Sequence, residues 1–259
     1  MKKLMVCFLV LTMVFSAAFS LAEESDPTYV KDKGVLVIGI TDFAPMDYKD
    51  ENGEWIGFDA DVAKLFAESL GVKAEFVEIE WDNKVLELNG KSIDCVWNGM
   101  TLTDEVLSAM ECSNAYANNA QVVVVPKDVV DNYKEIGDMA SLVFAVESGS
   151  AGQSEVEKLG FATTEVSSQA AALMEIAAKT SDAAVIDALM AAAMIGEGTG
   201  YEQLTYTFAL NDEKYGVGFR KGSDLAAVLN SFLVDTYKDG TLLKIAETYG
   251  IQAALVAQE

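Results

Sequence analysis

Val35–Leu36–Val37–Ile38–Gly39–Ile40 is the stretch that decides the fold class. It is almost wholly apolar, rich in β-branched residues and free of the alternation that marks a strand with one wet face. It therefore predicts a strand covered on both sides, as in a parallel sheet. Outward from it, Asp59 opens a helix whose Val62, Leu65, Phe66 and Leu70 fall on one stripe, and Gly71 ends it where a left-handed cap suits glycine. Lys73–Val77 resumes as a strand, Ile93–Trp97 as another, Asp104–Met110 as a short helix and Gln121–Val125 as a further strand. This alternation predicts α/β architecture.

A second unit begins after Pro126. Leu142–Val146 reads as a strand, Gly149–Ser150–Ala151–Gly152 as a flexible turn and Gln153–Leu159 as the start of a helix. Ser168–Ala178 is an alanine-rich helix, Ala183–Ile186 a strand, and Ala188–Ile195 a helix ending at Gly196. Leu204–Phe208 follows, then the strand Tyr215–Phe219 and helices in Asp224–Lys238 and Thr241–Tyr249. At 259 residues, one large domain and two lobes of about 100 residues each are both open on length alone.

Lys2 and Lys3 precede an apolar run from Leu4 to Phe19, and Ser20–Leu21–Ala22 supplies small residues at signal-peptidase spacing. Residues 1–22 thus read as an export signal. The run falls short of the roughly 20 residues that span a bilayer. A secreted protein, periplasmic or extracellular and associated with the cell envelope, is expected. Cys95 and Cys112 remain after export, and a disulfide or two free thiols are both open.

The balance of 41 acidic against 18 basic residues, net charge −23, argues against a nucleic-acid partner, and Arg220 is the sole arginine. Histidine is absent, which excludes Ser–His and Cys–His nucleophile pairs and His-based zinc sites. No metal and no cofactor are expected.

Several motifs in order carry a resemblance. Gly57–Phe58–Asp59–Ala60–Asp61–Val62–Ala63 resembles the "GFDVDLA" segment of the family 3 extracellular solute-binding proteins, the amino-acid-binding components of ABC importers. Ile93–Thr101 resembles the family's "IDVIIAGMT", Cys112–Tyr116 its "FSDPY" and Glu147–Ser150 its "SGT" turn. Ala184–Asp187 resembles its "AVVMD", Tyr215–Asp224 its "YGIAFRKGSD", and Lys238–Thr241 and Tyr249–Gly250 its "ADGT" and closing "WFG". The resemblance implies a two-lobed periplasmic binding protein-like (type II) fold with a cleft between lobes and two crossover strands. Lobe 1 would be 23–115 plus 216–259, lobe 2 would be 121–210, and 116–120 and 211–215 would be the hinge strands. Closure around a ligand would be a hinge motion, in a monomer that delivers its solute to ABC transporter membrane subunits.

The resemblance also implies a site. Gly99 C=O and the Thr101 hydroxyl would receive a ligand ammonium, and Asp187 would pair with it through a charge-assisted hydrogen bond. Thr103, followed by Asp104 and Glu105, is also good helix-capping chemistry, and Asp187 stands where an aspartate can simply cap a helix. The family holds the ligand carboxylate with an arginine where this chain has Val106, together with backbone N–H groups of the turn at Ser150, Ala151 and Gly152. Losing that partner costs a few kcal/mol, and nothing basic nearby in sequence replaces it. Glu105 and Glu147 would favour a cationic ligand. Phe43 and Trp81 would line the pocket, two rings that with Asp187 form a partial cage for an amine or sandwich a flat ligand. The expected function is solute capture and not catalysis. The alternatives are a dehydratase-like enzyme with Glu147 or Glu105 as general acid and a sensory ligand-binding module.

Overall fold

The structure, a computed structural model, describes residues 25–259; the export signal expected at 1–22 lies outside them. Helix α1 (Asp26–Lys33) leads into strand β1 (Val35–Ile40), a small hairpin of β2 (Tyr48–Lys49) and β3 (Trp55–Ile56), and helix α2 (Phe58–Leu70). Strand β4 (Lys73–Glu78), helix α3 (Lys84–Asn89), strand β5 (Cys95–Thr101), helix α4 (Asp104–Ala109) and strands β6 (Glu111–Cys112) and β7 (Ala117–Asn119) follow. The run at β1 buries Leu36, Ile38 and Ile40 completely. Its neighbours β4 and β5 both run parallel to it.

The chain then builds a second sheet. It comprises β8 (Gln121–Pro126), β9 (Val143–Glu147), helix α5 (Ala151–Leu159), β10 (Ala162–Val166), helix α6 (Gln169–Ala178), β11 (Ala183–Asp187), helix α7 (Ala188–Met194) and β12 (Leu204–Ala209). The order is β10-β9-β11-β8-β12, with β10, β9 and β11 parallel and β8 antiparallel to both its neighbours. Strand β13 (Glu213–Phe219) returns to the first sheet, whose order is β4-β1-β5-β13-β6, and β7 pairs with β13 at its start. Helices α8 (Leu225–Lys238) and α9 (Thr241–Thr248) pack there too, Phe232 of α8 lying 5.4 Å from the ring of Phe66 in α2. The architecture is two-lobed α/β, each lobe covering its own sheet.

Strand β5 runs on through Gly99 and Thr101, past the Trp97 at which the local apolar pattern ends. Tyr215 and Gly216 of β13, more than a hundred residues away in the chain, pair with Thr101 and Met100 and extend it. Trp97 is core, 1 % exposed. Cys95 and Cys112 are both free thiols. Among the described residues no helix is long and apolar enough to cross a membrane.

Candidate functional site

Between the two sheets lies a cavity of about 250 Å³. The first sheet contributes Asn98 to Thr101 at the carboxyl end of β5, with Thr103, Glu105 and Val106 from α4 and Trp81, Asp82 and Lys84 from the turn that enters α3. The second contributes Glu147 at the end of β9, Gly149 to Ala151 at the start of α5, Gln169 of α6, Asp187 at the end of β11 and Gln121 of β8. Carboxyl ends of parallel strands converge on one crevice, the place where open α/β sheets put their sites. The walls touch at Gly149, which has φ +71°; a Cβ there would come within 2.7 Å of the Asp82 backbone.

Gly99 and Thr101 line the cavity, but Phe43 does not. Its ring is 2 % exposed and lies behind Gly99, edge-on to Tyr215 at 6.3 Å. A Cβ on Gly99, where φ is +55°, would come within 2.4 Å of that ring. Packing against Phe43 thus requires the glycine, and Phe43 supports the loop from beneath. The Gly99 N–H donates to buried Asp59 at 2.7 Å, which ties the cavity-lining end of β5 to the first turn of α2. Thr103 spends its hydroxyl as the cap of α4, accepting from Val106 N–H at 3.1 Å. Ser150 caps α5 likewise, accepting from Gln153 N–H at 3.0 Å.

Asp187 does not cap its helix. Its Oδ1 accepts from Gln121 Nε2 at 3.0 Å, from Tyr215 Oη at 2.5 Å and from Asn119 Nδ2, while Oδ2 accepts from Gln169 Nε2. The amides of Asn119 and Gln121 also donate to Glu213 Oε1, at 2.6 and 2.8 Å, so each bridges two carboxylates. Burial, then the nearby charge of Glu213, pushes Asp187 well above the usual carboxylate range. Oδ2, with a single protein donor, keeps capacity for a donor from the cavity.

Glu147 is 3 % exposed and its Oε1 has no partner. Burial raises it to about 8, against the opposing pull of Lys84, Gln169 and Thr41. A buried acceptor without a donor costs energy, and this one faces a cavity. Lys84 donates to the carbonyls of Trp81 at 3.2 Å and, across the cleft, of Gly149 at 2.9 Å, with its ammonium 5.0 Å from the Trp81 ring centre. Burial lowers its pKa, opposed by Glu147, Glu105 and Asp82.

Trp81, Gly99, Thr101, Thr103, Val106, Glu147, Ser150, Ala151 and Asp187 therefore come together and Phe43 stays apart. The two-ring cage is not formed, because one ring is buried behind Gly99 and the protein's own lysine occupies a face of the other. The sequence reading also missed Lys84, Gln121 and Gln169, so the cavity is not without a cation. Signals existed: Lys84 stands one helical turn after Trp81, and Gln121 is a polar residue heading the apolar run Val122–Val125. The sole arginine is committed elsewhere, Arg220 pairing with Asp26 at 3.1 Å and donating to Ile93 C=O at 3.0 Å.

Residues 36–252 match the bacterial extracellular solute-binding proteins, family 3. The L-cystine-binding protein of Escherichia coli K12 is 25 % identical over 234 residues, covering 89 % of this chain and 88 % of that one. Among solved structures, a variant of ArgBP from T. maritima superposes with a TM-score of 0.81 at 32 % identity, over 87 % of this chain and 99 % of that one. An ancestral amino acid-binding protein, a precursor of cyclohexadienyl dehydratase, superposes with a TM-score of 0.79 at 30 % identity over 87 % and 99 %. The chain belongs to the family 3 bacterial extracellular solute-binding proteins.

Proposed function

We propose that this family member captures an amino acid or a related amine-bearing small molecule outside the cytoplasm and delivers it to the membrane subunits of an ABC importer. The observation that carries the reading is the cavity shared by both sheets, in which Asp187 and Glu147 present carboxyl oxygens opposite Gly99 and Thr101. Lobe 1 is 23–115 plus 216–259 and lobe 2 is 121–210. The hinge strands are 116–120 and 211–215, where β7 pairs antiparallel with β13. Rotation about this paired ribbon opens the cleft, and ligand contacts made from both lobes favour the closed state. The protein acts as a monomer, its leader at 1–22 is removed on export, and it carries no cofactor. The ligand set is Trp81, Gly99, Thr101, Ser150, Ala151 and Asp187, with Thr103, Val106 and Glu147 lining the same cavity. Relatives named for amino acids support this reading.

A dehydratase-type reaction is the second reading. Glu147, held protonated near neutral pH, is a carboxylic acid facing a cavity, and one structural relative is a dehydratase precursor. Reversible capture fits better, since an anionic cyclic substrate would meet Asp187, Glu147 and Glu105 against the single cation of Lys84. Thermal-shift measurement of the protein lacking 1–22 against the twenty L-amino acids, polyamines and methylated amines tests the proposal. An amine-bearing solute is expected to raise Tm in proportion to the logarithm of its concentration above Kd. No shift from any of them, with turnover of a prephenate-type acid, would establish the second reading instead.

A further inference from the structure

We infer that Lys84 is the group that anchors the ligand's carboxylate, in place of the absent arginine, so that the cavity takes a zwitterionic α-amino acid in preference to the amine lacking a carboxylate. This rests on the reading of the cavity as a site for amine-bearing solutes. Val106 presents only an apolar surface to the cavity, and Arg220 is held by Asp26 and Asp94 outside it. Lys84 is the one cation among the lining residues. An ammonium has three donors; two are directed at the carbonyls of Trp81 and Gly149, and among the described residues no carboxylate is ion-paired with it. A partly buried cation with acids nearby but none in direct ion-pair contact gains from an anion that reaches it.

The location agrees. Gly149, whose carbonyl Lys84 grips, is followed by the N-cap Ser150 and the first turn of the nine-residue helix α5. Ser150 and Ala151 line the same cavity. A carboxylate seated against the start of α5 therefore lies beside the Lys84 ammonium, with the helix end adding its own partial positive charge. Asp187 and Glu147 are left for the amino group and for any further donor the ligand carries. Lys84 belongs to the first sheet's lobe and Gly149 to the second, so the anchor is complete only when the walls meet. Carboxylate recognition and closure are then one event.

The test uses matched pairs by titration calorimetry: L-lysine and cadaverine, L-arginine and agmatine, L-histidine and histamine, L-phenylalanine and phenethylamine. In the unmodified protein at least one amino acid should bind 30-fold or more tighter than its decarboxylated partner. Lys84→Met should bring that ratio below about threefold, chiefly by weakening the amino acid, while Lys84→Arg keeps most of it. Should Lys84→Met lower the ligand-free Tm markedly, Lys84→Gln, which retains a donor toward the carbonyls, carries the same measurement. A ratio unchanged by Lys84→Met, or equal weakening of both partners, overturns the assignment and leaves Lys84 as a latch alone. An amine bound as tightly as its amino acid by the unmodified protein overturns it too, yet spares the proposed function. Binding of no member of any pair defeats both.

Discussion

Two buried acid pairs divide this molecule, and they are built in opposite ways. Asp47 and Asp59 lie in the core of the first lobe, both fully buried, and neither oxygen of Asp47 has a hydrogen-bond partner. Asp187 and Glu213 lie at the junction of the lobes, wrapped by the amides of Asn119, Gln121, Gln169 and Asn211 and the hydroxyl of Tyr215. Tyr116, bonded to Asp59 at 2.7 Å, and Tyr215, bonded to Asp187, pack with ring centres 6.3 Å apart, so the pairs meet through two tyrosines. A donor-poor pair in a dry core is tolerable only when protonated. A donor-rich pair at a cavity wall can hold negative charge once a cation arrives. The first kind shapes the scaffold; the second brings Asp187 to the wall of the cavity.

The largest expected effect concerns pH, and it tests the donor-poor side of the contrast together with Glu147. Burial raises Asp59 from 3.8 to about 7 and Glu147 from 4.5 to about 8. The folded chain therefore holds these protons more tightly than the unfolded chain does. The stability they contribute is whole below about pH 4 and is lost as pH rises through about 7 and 8. Urea melts of the ligand-free protein should show it less stable at pH 8.5 than at pH 5 by up to about 7 kcal/mol, since the two acids together lose about five pKa units over that range and each unit is worth about 1.4 kcal/mol. Glu147→Gln should flatten part of that slope. Greater stability at pH 8.5 would mean that these acids are charged in the fold.

Next comes Asp187→Ala, which should weaken an amine-bearing ligand by about 100-fold, or roughly 2.7 kcal/mol, read by calorimetry. Unchanged affinity would move the ammonium to Glu147. Smaller effects separate the members of the donor-poor pair. Asp59→Ala strands the Gly99 N–H and the Tyr116 hydroxyl and should cost roughly 2 kcal/mol in urea melts at pH 5, where the acid is protonated. Asp47→Asn removes a carboxyl that pairs with nothing and should change stability by under about 1 kcal/mol, in the stabilising direction at that pH. Equal costs for the two would erase the distinction drawn between an acid that positions the ligand loop and one that does not.

The apolar run of β1, the stripe of α2 and the glycine after it were legible because neighbours along the chain set them. Asp187 and the turn at Ser150 were legible as strand and helix ends carrying polar groups. Lys84 was not, since a lysine following Trp81, Asp82 and Asn83 reads locally as a solvated charge; it is half-buried, donating to the carbonyl of Gly149, 65 residues on. Phe43 failed in the other direction. Its loop suggests a pocket aromatic, but whether the ring points into the cavity or beneath Gly99 depends on where β5 and Tyr215 pack.

By itself, then, the sequence determined the α/β alternation and the absence of histidine chemistry, because periodicity and composition are local quantities, while the two lobes and the missing arginine at Val106 were implied by the resemblance of its motifs. Only the tertiary structure decided which charges face the cavity. Burial, hydrogen-bond partners and pKa depend on groups brought from distant parts of the chain, and those placed Lys84 beside the α5 terminus and shared Asn119 and Gln121 between two acids.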